Sequence, residues 1–252
     1  MNKLNTLFIG KVLKSFKNLP STNVYAQNLI AKSKPIEGTV IMALHQTRGR
    51  GQRGTTWESE NNSNITLSII LFPNFLLPQQ QFRLNEVVSL GLLDFLEKYF
   101  HNRVSIKWPN DIYIDEKKIA GILIQNSITF TAISSSIVGI GLNVNQKFFP
   151  KDIPNPTSMI LEKGQNFDLM QLTYELLKKI EMRYLPLRSE KNTSTRQEYI
   201  EKLYKLNEVS SFEKKSGTKI TGTIRGVDEI GRLMIETGNQ IETFAYKEIK
   251  FL

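Results

Sequence analysis

Between residues 104 and 144 the chain breaks into five short, apolar, β-branched runs, at 104–108, 112–114, 119–125, 128–133 and 137–144, joined by turn residues. Runs of that length bounded by turn signals read as strands, which commits the middle of the chain to a sheet. Two further strand-length runs precede them, at 39–45 and 65–72. Helical spacing flanks this β region. Leu84, Val88, Leu92, Phe95 and Tyr99 recur with a helical period across 82–99, and Leu169, Leu172, Leu176, Ile180 and Tyr184 do so across 169–184. Residues 22–31 predict a shorter helix with Ser21 or Thr22 as its N-cap.

After Tyr184 the pattern changes. Residues 188–196 are polar and 195–206 predict one more helix. From Glu208 only strand patterns follow, at 208–212, 219–226, 232–237 and 241–246, with turn signals at Gly217, Gly231 and Gly238. Such a run of short strands reads as a small barrel, and so small a unit is expected to dock on the main domain. The expected organisation is a main domain over 1–205 and a β domain over 206–252.

Composition removes several classes of chemistry. The 252 residues suffice to bury a core without staples, and they include no cysteine, which excludes disulfides, thiolate metal sites and a Cys nucleophile. His45 and His101 are the only histidines, so a multi-His metal centre is excluded too. Residues 1–16 interleave Lys3, Lys11 and Lys14 with apolar residues and do not read as a signal peptide. The longest apolar run, around 65–77, is interrupted by Ser68, Pro73 and Asn74 and falls short of a membrane span. A cytoplasmic protein that engages no membrane is expected.

The net charge of +9 calls for an anionic partner. From residue 206 onwards seven basic residues balance seven acidic ones, so the whole excess lies before that point. There it is dispersed, apart from Arg48, Arg50 and Arg53. A non-catalytic nucleic-acid binder would suit the charge, but the chain has no basic tail or recognisable binding motif.

Four segments could carry chemistry. The first is Gln46-Thr47-Arg48-Gly49-Arg50-Gly51-Gln52-Arg53-Gly54 with Trp57 beyond it, in a polar stretch too long for an ordinary turn. Glycines let backbone N–H groups approach an anion and Arg matches phosphate or carboxylate oxygens. On spacing alone, an anion cradle and a solvated basic loop are equally good readings. The second is Lys107-Trp108-Pro109-Asn110-Asp111 at a strand end, where a Lys and an Asp could hold phosphate and Mg²⁺, or simply close a hairpin. The third, Lys118-Ile119-Ala120-Gly121, suits an anionic group in an apolar pocket or an ordinary hairpin. The fourth, Gly139-Ile140-Gly141-Leu142-Asn143, has strand glycines that mark either close approach of a ligand or a bulge. Ser21-Thr22-Asn23 taken alone reads as helix capping.

In this order the segments resemble the bacterial biotin protein ligases, strongly over 19–145 and weakly through the C-terminal β segment. That family joins biotin to ATP, giving biotinyl-5′-AMP and pyrophosphate, then transfers biotin to one lysine of a carrier domain. The resemblance implies an α+β fold: a mixed β-sheet catalytic domain with packed helices, like class II synthetases and biotin–lipoate ligases, plus a C-terminal SH3-like β-barrel. It implies a biotin pocket of Ser21, Thr22, Asn23, Gln46, Gly49, Arg50, Gly51, Gln52, Lys118, Gly121, Gly139 and Leu142. Ser21, Thr22 and Gln46 would bind the ureido ring. ATP would meet Arg50, Arg53, Trp57, Asn110, Lys118 and Asn143. Arg50, Lys118, Asp111 and Lys107 are the implied catalytic residues. Arg50 and Lys118 would steady the carboxylate and the α-phosphate. Asp111 would orient or deprotonate the incoming lysine, or assist Mg²⁺.

Biotin, ATP and Mg²⁺ are thus the expected small molecules, with no metal ligands assigned, and a biotin carboxyl carrier domain is the expected partner of a monomer or homodimer. Some twenty residues precede Ser21, which resembles the short form without a helix-turn-helix domain, so DNA is not expected as a partner. Two departures stand out: Gln52 replaces a frequent Arg, and Lys250 stands near a C-terminal Arg of some relatives. The rival within the same fold is a lipoate or octanoate ligase or transferase.

Overall fold

The computed structural model describes residues 4–52, 54–189 and 194–252. Its framework is a sheet of β1 (Leu13–Leu19), β2 (Val40–Gln46), β3 (Ile65–Leu71), β4 (Val104–Lys107), β5 (Asp111–Ile114), β6 (Lys117–Ile128) and β7 (Ile133–Leu142). The strand order is β1-β2-β3-β7-β6-β5-β4. β1 and β2 run parallel, joined through helix α1 (Thr22–Lys32), because a parallel pair needs a crossover. The other neighbours are antiparallel. The expected mixed sheet is therefore present.

Helices pack on both faces of this sheet, and the two-residue period of the strands decides which side chain goes where. On β3, Ile65, Leu67, Ile69 and Leu71 enter the main core with α2 (Gln81–Phe100) and α4 (Leu169–Arg188). Ile70 turns the other way and packs with Ala26, Ile41 and Ile137 under α1. Thr66 and Ser68 share that second face, and β7 sets Gly141 and Gly139 beside them. Beyond the N-terminus of α1 this face is left open, and there the cavity forms.

Beyond α3 (Met159–Lys163) and α5 (Thr195–Glu201), the strands β8 (Val209–Lys214), β9 (Lys219–Val227), β10 (Leu233–Thr237), β11 (Gln240–Phe244) and β12 (Ile249–Phe251) form a second, antiparallel sheet. Its order is β11-β10-β9-β8-β12. Phe212, Ile224, Leu233 and Ile235 of this sheet belong to the same continuous core as α2. The Trp108 indole N–H also donates to the Gly231 carbonyl at 2.9 Å, tying the two sheets together.

Two expectations need correction, and one strand has no counterpart among them. The run 128–133 is the turn between β6 and β7, closed by Thr129 N–H to Ala132 O at 2.9 Å, and Phe130 there is fully exposed. Apolar composition without a covering partner does not make a strand. The helix expected over 195–206 stops at Glu201, because the edge of β4 captures the next residues through Ile106 N–H to Lys202 O and Tyr204 N–H to Ile106 O. β1 escaped detection because it is an edge strand with Lys14, Ser15, Lys17 and Asn18 exposed. Such edges are blunted by charge rather than marked by alternation.

The segment leading into β1 is held by one buried carboxylate. Glu181 on α4 accepts the backbone N–H groups of Leu7, Phe8 and Ile9 at 2.6, 2.8 and 2.8 Å. Glu181→Ala leaves these donors without a partner and should destabilise the fold by about 3 kcal/mol. Urea unfolding should show a lower midpoint, and Glu181→Gln, which keeps one acceptor, should lie between the two. A midpoint equal to that of the parent chain would refute this assignment.

Candidate active site

A cavity of about 550 Å³ opens on the α1 face of the large sheet. At one end it is lined by neutral polar groups from the start of α1 and the end of β2. Ser21 stands at the N-cap position of α1 without a side-chain capping bond, so the Ser-Thr-Asn triplet is not explained as a cap. Gln46 Oε1 accepts the Thr22 N–H at 2.7 Å and lies 3.2 Å from Thr22 Oγ1. Asn23 donates to Gln125 Oε1 at 2.9 Å, and its own Oδ1 lies 2.6 Å from Ser68 Oγ. Thr22, Asn23 and Ser68 are all buried.

The middle of the cavity has a floor of two glycines paired across β6 and β7, Gly121 and Gly141. The Trp57 indole lies on that floor. A Cβ on Gly141 would come within 2.2 Å of the ring, so only glycine admits this stacking. The loop carrying Trp57 folds as a tight hairpin, with Trp57 N–H to Gly49 O at 3.1 Å and Gly51 N–H to Thr55 O at 2.8 Å. The indole Nε1 is buried without a hydrogen-bond partner, a donor that an entering ligand could satisfy.

Charge gathers at the other end. Lys118 Nζ pairs with Asp111 Oδ1 at 2.7 Å and lies 5.9 Å from the Trp57 ring centroid. β5 and β6 bring them together by setting Asp111 opposite Gly121, beyond the register shift next to Lys118. Arg50 lines the same cavity, and no ion pair holds it among the described residues. Tyr113, two residues after Asp111 on β5, lines it as well. Burial, with Asp111 nearby, pushes the Tyr113 phenol well above the usual range, so it stays a neutral donor.

Of the expected residues, Ser21, Thr22, Asn23, Gln46, Arg50, Gly51, Gln52, Trp57, Asn110, Asp111, Lys118, Gly121, Gly139 and Asn143 line this one cavity. Asn110 and Asn143 also clip the framework, donating to Ile122 O at 2.7 Å and Thr157 O at 3.0 Å. Three residues are placed differently. Leu142 faces the main core and is fully buried, because it alternates with Gly141 and Asn143 along the strand. Gly49 lies behind the loop, against the Trp57 carbonyl.

Lys107 does not reach the wall. Its Nζ donates to the Tyr113 hydroxyl at 3.0 Å and sits 4.7, 5.7 and 5.0 Å from the ring centroids of Tyr113, Tyr204 and Phe251. Burial lowers its pKa from the ordinary lysine range, against the pull of Asp111. Arg53 lies outside the described residues. Lys250 is exposed on β12, and the C-terminal sheet instead presents Tyr246 to the cavity.

Sequence reading missed Tyr113, Tyr246 and the segment carrying Phe149, Ile153 and Pro156, which also line the cavity. Tyr113 carried a signal, since it shares a strand face with Asp111. Tyr246 carried none, because only docking of the second sheet brings it here.

A sheet-floored cavity with neutral donors and acceptors at one end and the Lys118–Asp111 pair at the other, with Arg50 in its lining, suits a molecule with a polar head and an ionic tail. The matches to known proteins agree. The model of the biotin/lipoate A/B protein ligase family matches residues 15–145. The bifunctional ligase/repressor BirA of Bacillus subtilis (strain 168) is 30% identical over 254 residues, covering 98% of this chain and 76% of that protein. The biotin–[acetyl-CoA-carboxylase] ligase of Mycobacterium tuberculosis is 27% identical, covering 87% and 81%. The biotin protein ligase from Aquifex aeolicus, solved in complex with biotin and ATP, superposes with a TM-score of 0.78 at 28% identity, covering 95% and 98%. The chain belongs to the biotin/lipoate A/B protein ligase family, on its biotin protein ligase side.

Proposed function

We propose that the chain activates biotin with ATP and transfers it to a lysine of a biotin carboxyl carrier domain. The observation that carries this reading is the polarity of this cavity: the neutral Thr22–Gln46 pair at one end and the Lys118–Asp111 pair at the other, with Arg50 also in its lining. A cyclic urea fits the first end and a carboxylate the second. In the first step a biotin carboxylate oxygen attacks the α-phosphorus of ATP and pyrophosphate leaves, which yields biotinyl-5′-AMP. In the second the neutral lysine amine attacks the acyl carbon and AMP leaves, with the amine proton passing to a base.

Charge accumulates on the α-phosphate in the first step, and cations aimed there lower the barrier. Among the described residues lining the cavity, Lys118 and Arg50 are the cations available, and Asp111 holds Lys118 in place. The Trp57 ring offers a stacking face for the adenine. Mg²⁺ would enter as the counter-ion of the nucleotide phosphates, with no protein ligand assigned to it. No helix among the described residues is long and apolar enough to cross a membrane.

The test is acyl-dependent ATP–pyrophosphate exchange with biotin, lipoate and octanoate in parallel, followed by a mass measurement on a biotinyl domain. Biotin alone should support exchange, and the domain should gain one biotinyl group. Exchange with lipoate and not with biotin would overturn the reading.

A further inference from the structure

Hydrogen-bond direction at the neutral end of the cavity depends in part on Ser68 and Gln125, which are not among the residues lining it. Gln46 Oε1 accepts the backbone N–H of Thr22 at 2.7 Å. A backbone N–H can only donate, so the Gln46 amide nitrogen is turned away from it as a free donor. Asn23 Nδ2 faces two acceptors, Gln125 Oε1 at 2.9 Å and the Leu123 carbonyl at 3.5 Å. The carbonyl cannot donate, so Asn23 Oδ1 is the atom turned toward Ser68 Oγ, 2.6 Å away.

Ser68 is fully buried and has one hydroxyl proton, which must lie on that acceptor. Ser68 Oγ and Thr22 Oγ1 lie 2.7 Å apart, and with the serine proton committed to Asn23 the threonine hydroxyl is the group left to donate across that contact, which is shorter than its 3.2 Å approach to Gln46 Oε1. The Thr22 oxygen is left with lone pairs for the cavity. Gly139 keeps room for this relay, since a Cβ there would come within 2.3 Å of Asn23 Oδ1.

We propose that Ser68, backed by Gln125 through Asn23, is a positioning residue that fixes Thr22 as an acceptor beside the Gln46 donor. An acceptor next to a donor matches the N–H and C=O edge of a cyclic urea. It leaves both groups unpaired against an acyl head that has neither, such as a dithiolane or an alkyl chain, and buried unpaired groups discriminate strongly. Selection of biotin over lipoate within this fold thus runs through Ser68. The inference rests on the biotin reading above.

The experiment varies biotin and desthiobiotin, which keeps the urea and lacks the sulfur, at saturating ATP in the exchange assay. Ser68→Ala should raise the KM for both by about 10- to 100-fold, with kcat and the KM for ATP within about twofold. Adding Ser68→Ala to Thr22→Val should worsen the KM by less than about threefold, because the serine acts through the threonine. Gln125→Leu, at a half-exposed position, should raise the same KM at least about threefold, and it decides the matter if Ser68→Ala fails to fold.

An unchanged KM, a loss for biotin but not desthiobiotin, or additive effects with Thr22→Val would each overturn the relay. Failure of the unmutated chain to exchange with either urea would overturn the biotin reading itself, and the relay with it.

Discussion

Lys118→Met should lower biotin-dependent ATP–pyrophosphate exchange by about 10²- to 10³-fold, the usual loss when a group aimed at developing charge is removed. The 2.7 Å pair with Asp111 fixes the Lys118 ammonium in the cavity, beside the Trp57 ring. Biotin affinity should fall by no more than about tenfold, because the urea contacts lie at the other end. Lys118→Arg should recover only part of the rate, since a planar guanidinium does not reproduce a compact ammonium. The fold should hold, as both members of the pair keep about a quarter of their side-chain surface exposed and the stranded carboxylate stays hydrated. Exchange at the parent rate in Lys118→Met would remove this lysine from the chemistry.

Gly141→Ala should be nearly as damaging by a steric route. The added Cβ would stand 2.2 to 2.7 Å from three atoms of the Trp57 indole, well inside the contact distance of about 3.5 Å between carbons. The ring must leave its seat, and with it goes the stacking face proposed for adenine, worth about 10- to 100-fold in nucleotide binding. The strand itself tolerates alanine, so the melting temperature should hardly move. Two tryptophans make this measurable. Trp108 stays buried, so a red shift and greater acrylamide quenching would report Trp57 alone. A normal KM for ATP together with unshifted fluorescence would show that the indole does not depend on Gly141.

Much of the site could be read from the residues because several motifs are local: the Gly/Arg loop, Lys-Trp-Pro-Asn-Asp and Gly-Ile-Gly-Leu-Asn each place their groups within one turn or strand end. Leu142 was misplaced because a motif records adjacency, whereas a strand alternates faces, and its neighbours Gly141 and Asn143 took the cavity side. Lys107 went astray for another reason. Its fate depends on Tyr204 and Phe251, which are distant in sequence and meet it only when the second sheet docks. The same docking delivers Tyr246. The run 128–133 shows the reverse error, where good strand composition occupies a turn because no partner covers it.

What the sequence determined by itself was the local chemistry: β-branched runs that become strands, periodic helices, glycines where backbones or rings approach, and the family motifs in order. Those follow from near-neighbour sterics and side-chain type, which each residue carries with it. The tertiary structure decided everything that needs two distant segments at once. It set Ser68 between Thr22 and Asn23, aimed the Thr22 oxygen, laid Trp57 on two paired glycines, and drew Lys107 into an aromatic cluster. Hydrogen-bond direction and stacking are properties of pairs, and these pairs exist only once the strands have chosen their register.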